Sequence, residues 1–115
     1  MLQALSELIV FIAYLFKPEL KLIPDIGKLL ACQRYIEAYA YIKAADKKRL
    51  KKELNAIIKR ALKEDLHKTY KFKCDLYEFV FGEKSKYFNQ KWYDTSDTFN
   101  DDIIEALNKV KQEQE

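Results

Sequence analysis

Arg60 and His67 are the two side chains of this 115-residue sequence whose types and spacing suit joint chemistry. Seven residues apart, they share one face of any helix that runs through both. His67 is the single histidine, and imidazole is the side chain most often used for acid–base work. Most other chemistries are excluded by what the chain lacks. Gly27 and Gly82 stand alone, so no glycine-rich phosphate loop exists. Ser6, Ser85 and Ser96 sit in no nucleophile elbow, which argues against serine–histidine catalysis. Asp94 to Glu105 has the length of a calcium loop, but Phe99 stands where its sharp turn needs glycine. Cys32, Cys74 and one histidine cannot supply the four usual zinc ligands, and both cysteines read as small core residues of a reduced chain.

The spacing of Arg60 and His67 resembles the Arg-x4-6-His motif of the HEPN-type ribonucleases, which are small, helical and usually dimeric. The resemblance covers these two residues and implies an arginine and a histidine acting on a scissile phosphate. Ala61 follows the arginine where that family commonly carries a polar residue. As an ordinary surface residue, Arg60 has Glu64 one turn away as an ion-pair partner.

Charge is the stronger signal. Residues 1–42 carry four bases and four acids, residues 43–73 twelve against four, and residues 74–115 five against ten. A local excess of that size attracts acidic partners or phosphate backbones through its field. Eighteen of the bases are lysine, a hydrated point charge without the guanidinium fork that reads guanine, so specific base readout is disfavoured. Between Lys68 and Tyr93, six lysines alternate with nine aromatic residues. That interleaving suits core filling first, then a protein interface, then stacking of single-stranded nucleic acid.

Helices must position these groups. Leu8 to Phe16 is an unbroken apolar run bounded by Lys17 and Pro18, without the flanks of a signal peptide. A helix from Leu2 to Phe16 spans about 22 Å, short of the ~30 Å hydrocarbon core, and reads as buried. A second helix runs from Pro24 or Asp25 to about Ala44 with two adjoining stripes, one of Ile26, Leu29, Leu30, Ile36 and Ala40, the other of Cys32, Tyr35, Tyr39 and Ile42. Two stripes imply a central helix. Asp46 caps a third helix whose apolar face is Leu50, Leu54, Ile57, Ile58, Ala61 and Leu62, antiparallel to the second. Residues 70–81 fit both a period of two and helical spacing, and the helix is preferred because a lone strand has no sheet to join. The last helix presents Phe99, Ile103, Ala106, Leu107 and Val110, with Asp97, Asp101 and Asp102 at its start.

The sequence therefore predicts an all-α fold, a compact bundle of four or five helices in one domain over residues 1–115, with a short hairpin as the option near 70–93. Leu29, Ile36, Leu54, Ile57, Leu62, Leu107 and the run Leu8 to Phe16 are the expected core. The expected function is non-enzymatic: a small binding protein, adaptor or inhibitor, meeting an acidic protein surface through Lys48, Arg49, Lys52, Lys59, Arg60 and Lys63. Tyr87, Trp92 and Tyr93 are the expected aromatic contacts. Nucleic-acid binding through the 43–73 face is the alternative, and a ribonuclease using Arg60 and His67 the third. No cofactor, no metal and no membrane partner are expected, the location is expected to be cytoplasmic, and the oligomeric state is open.

Overall fold

A computed structural model describes residues 21–115 other than Phe99, so the expected helix through Leu8 to Phe16 lies outside the described residues. Within them the chain forms α1 (Leu22–Ala31), α2 (Tyr35–Ala44), α3 (Lys47–Lys63), α4 (Tyr70–Phe81), α5 (Gln90–Thr95) and α6 (Asp101–Gln114). A single 3-10 turn, His67–Thr69, leads into α4. The all-α class is as expected. The described residues contain six α-helices rather than four or five and no strand, so the optional hairpin near 70–93 is not formed.

Two of the six are additional: α5, whose N-cap Asn89 accepts the Trp92 N–H, and a second helix where one long helix was expected. At Cys32 to Arg34 the chain leaves α1: the Gln33 N–H donates to the Leu30 carbonyl (3.1 Å) and the Arg34 N–H to the Leu29 carbonyl (2.9 Å), with Gln33 at φ 58. That is a Schellman end built on glutamine in the left-handed region, where glycine is the usual occupant. The break resets helical phase. Ala38, Tyr39 and Ile42 become the buried face of α2, while Ile36, expected in the core, is 61% exposed and Ala40 and Cys32 are also exposed. The reading of both cysteines as core residues therefore holds for Cys74 alone.

α3 follows its sequence closely. Asp46 accepts the Lys48 N–H (3.0 Å) and the Arg49 N–H (3.4 Å) as N-cap, and Leu50, Leu54, Ile57, Ile58 and Ala61 are buried with Leu62 half-buried. One acid joins that buried face. Glu53 is 1% exposed, and its Oε1 accepts the N–H groups of Leu22 (2.8 Å) and Ile23 (3.1 Å). A distant carboxylate thus satisfies the first turn of α1, which has no local side-chain cap and tolerates Pro24 because first-turn N–H groups lack helical partners. Burial pushes the Glu53 carboxyl above its ordinary range, against those two donors and Arg49.

Helix two was expected to be central and to form a hairpin with helix three; only its first half, α1, packs on α3, and the centre lies elsewhere. α2 packs on α1 and α6, and α3 packs on α1 and α4. The central element is α4, which meets α3, α5, α6 and the 3-10 turn. Its surround explains its sequence: a helix covered on several sides needs a wide apolar arc, so Tyr70, Cys74, Leu76 and Tyr77 are buried while Phe72, Phe79, Val80 and Phe81 are half-buried. Gly82, at φ 69, ends it. α6 starts with Asp101 and Asp102 and buries Leu107 and Val110, as its pattern predicts.

Candidate functional site: a lysine-lined groove along α3

With Leu50, Leu54 and Ile57 turned into the core, helical geometry directs the opposite arc of α3 outward. Lys48, Arg49, Lys52, Lys59 and Lys63 are exposed and Arg60 is half-buried. The two arginines have local carboxylates: Arg49 Nε lies 3.5 Å from Glu53, and Arg60 Nε donates to Glu64 at 3.0 Å. Lys47 faces elsewhere, its Nζ donating to the carbonyls of Ile42 (2.6 Å), Lys43 (2.9 Å) and Ala45 (3.1 Å) at the end of α2.

A second segment comes alongside. The Ser85 hydroxyl donates to Asn55 Oδ1 of α3 at 2.6 Å and accepts the Tyr87 N–H at 3.2 Å. From below, the buried Tyr70 hydroxyl donates to the Tyr87 carbonyl (2.9 Å) and accepts the Asn89 N–H (2.6 Å). These bonds hold residues 85–89 between α3 and α4. They create a groove of about 560 Å³ with Lys48, Lys51 and Lys52 along α3 and Glu83, Lys84 and Lys86 on the loop. Asn55 and Tyr77 complete its lining. Lys51 Nζ donates to Glu83 Oε1 at 2.8 Å, which holds the ammonium above its ordinary range, and Lys84 lies 3.8 Å from Glu78.

Of the expected aromatic contacts, Tyr87 joins this surface, its ring under Lys59 (5.7 Å) and Lys86 (5.3 Å), and Tyr93 meets its edge, with Lys84 Nζ 5.9 Å from its ring. Trp92 stacks on His67 (4.5 Å) and meets Tyr70 edge-on (5.7 Å). Tyr93 donates its hydroxyl to Asp75 at 2.7 Å and packs on Phe88. Both fasten α5 to α4. Lys51 is absent from the expected arc, and Lys84 and Lys86, read from sequence only within the 68–93 interleaving of lysines and aromatics, were not placed beside α3, because nothing local reveals a loop docking on a helix some 30 residues earlier in the chain.

Arg60 and His67 do not share a helical face. α3 ends at Lys63, and Asp65 at φ 57 turns the chain before His67 begins the 3-10 turn. His67 Nε2 and the Thr95 hydroxyl are hydrogen-bonded at 2.8 Å, which ties the 3-10 turn to the end of α5. Among the described residues no group of three or more histidine, cysteine or acidic side chains is placed to hold a metal ion, and no helix is long and apolar enough to cross a membrane. Cys32 and Cys74 are free thiols; burial raises the Cys74 thiol to about 11, far from a reactive thiolate. No protein-family model matches the chain, and no curated protein or solved structure matches it significantly.

Proposed function

We propose that the chain is a non-enzymatic binding protein that meets an acidic macromolecular partner, most simply another protein, through the exposed basic arc of α3. One observation carries the reading: Lys48, Lys52, Lys59 and Lys63 are exposed along a helix anchored by a full apolar face, and the 83–86 loop adds Lys84 and Lys86 beside them. Positions four apart on a helix are offset by about 6 Å along its axis, so charges on a partner are met in series. Each exposed pair contributes only about 0 to 1 kcal/mol, and the sum is sensitive to salt. Such a surface speeds encounter and sets the sign of the partner more than it deepens affinity. Free cysteines suit the reducing cytoplasm, which goes with this reading.

The test is capture of partners from the native host with the full chain and with the Lys52→Glu, Lys59→Glu variant, each with and without nuclease treatment. The expected result is an acidic protein captured by the parent, lost on charge reversal and retained under nuclease. Capture that disappears under nuclease replaces the reading with nucleic-acid binding through the 43–73 face; capture indifferent to the reversal overturns both. The ribonuclease reading has lost its premise of a shared helical face for Arg60 and His67.

A further inference from the structure

Resting on that reading, we infer that the groove between α3 and the 83–86 loop seats a carboxylate-rich polypeptide segment, and that Glu83 stands in for one of its carboxylates in the free protein. The groove already holds one carboxylate, since Glu83 Oε1 lies 2.8 Å from Lys51 Nζ. Around that pair the lining supplies Lys48, Lys52, Lys84 and Lys86, so five lysines face Glu83 and, from the edge at Lys84, Glu78 at 3.8 Å, and the surplus charge is positive. Glu83 sits on the loop directly after Gly82, where α4 has ended, and is exposed. An incoming carboxylate that displaces it from Lys51 exchanges like for like, and the released Glu83 is rehydrated at its exposed position.

The aromatic rings decide between a polypeptide and a single-stranded nucleic acid. Strands without sequence preference are held by stacking bases on aromatic faces. Here Tyr87 lies under Lys59 and Lys86, Phe88 under Lys84 at 4.3 Å, and Trp92 against His67, while Tyr77 is 2% exposed. Stacking a base on these rings displaces cation–π or ring contacts that the fold already makes. Carboxylates need only the ammonium groups. The lining contains no arginine, so base edges are not read by a guanidinium fork, and carboxylate and phosphate alike meet ammonium point charges; the rings make the distinction.

The experiment uses the full chain and two labelled probes of equal charge, a glutamate-rich peptide and an oligothymidylate, with binding read by fluorescence anisotropy. The peptide is expected to bind, to weaken about tenfold with Lys84→Glu and Lys86→Glu together, and to tighten about threefold with Glu83→Gln as Lys51 is vacated. Tighter binding of the oligothymidylate, no peptide binding, or no loss on the loop reversal overturns the inference; an unchanged affinity for Glu83→Gln removes the stand-in role. Lys84→Gln with Lys86→Gln, which must still weaken the peptide, serves as the second variant should the reversal disturb folding by thermal melting. Loss of peptide with Lys52→Glu and Lys59→Glu, but not with the loop variant, sinks the groove while leaving the α3 arc standing. Indifference to both sinks the two readings together.

Discussion

Lysines on α3 and lysines on α4 come from the same basic third of the sequence and end in opposite circumstances. Lys52 and Lys59 are exposed on a helix packed along one face. Lys71, on the central helix, has a side chain only 17% exposed and donates to Asp75 at 2.9 Å and to Asp101 at 2.7 Å. Its neighbour Lys73 is half-buried, and burial lowers its ammonium to about 8. A charge sum over a stretch of sequence therefore overstates the field at the surface. How many neighbours a helix has decides which of its lysines reach a partner and which hold the fold.

The largest test of this contrast is Lys71→Glu. It removes two ion pairs and places a third carboxylate beside the largely buried Asp75 and the exposed Asp101. The expected loss is about 3 kcal/mol by denaturant titration, toward the range for breaking a buried pair. A loss under about 1 kcal/mol makes Lys71 an ordinary surface lysine and erases the distinction between the helices.

Lys73 sharpens the comparison through pH. Its ammonium releases its proton near 8 in the folded chain and near the ordinary 10.5 when unfolded. Below about 8 both states carry the proton and the burial penalty is fully present. Between the two values the unfolded chain binds more protons, so stability rises with pH over that window. Stability profiles of the parent and of Lys73→Met should diverge there, the parent gaining as pH rises, by less than the Lys71 effect because solvent at a half-buried amine screens the penalty. Parallel profiles would place Lys73 with the lysines of α3.

Legibility from sequence follows the same division. α3 and α6 were readable because each has one apolar face and a matching start, Asp46 as cap for the first and Asp101 with Asp102 for the second. The break between α1 and α2 was not, since Gln33 occupies a left-handed position that glycine normally announces, and backbone bonds to Leu29 and Leu30 offset its strain. Continuing helical phase across that break is what sent Ile36 into the expected core. Glu53 was invisible for a related reason: a carboxylate on the buried side of a helix looks like an error until the N–H groups of Leu22 and Ile23 arrive from another helix. In the groove, the lysines of α3 were legible by periodicity, whereas Lys84 and Lys86 depend on Ser85 reaching Asn55, a pair whose residue types carry no signal for each other.

The smallest expected effect is the most informative about α3. Lys52→Glu with Lys59→Glu reverses two charges on the exposed arc, and neither lysine contributes to the buried face of Leu50, Leu54, Ile57 and Ile58. Lys59 does lie over Tyr87 at 5.7 Å, a contact worth roughly 0.5 to 1 kcal/mol at an exposed site. Against that loss, relief of repulsion among Lys48, Lys52, Lys59 and Lys63 acts in the stabilising direction, since like charges one helical turn apart disfavour the helix by a few tenths of a kcal/mol per pair. The two terms oppose each other, so the net change in unfolding free energy should stay within about 0.5 kcal/mol. A marked drop in thermal stability would mean that the arc is paired internally, most directly with the acidic last third of the chain, and the lysines of α3 would then hold the fold as those of α4 do.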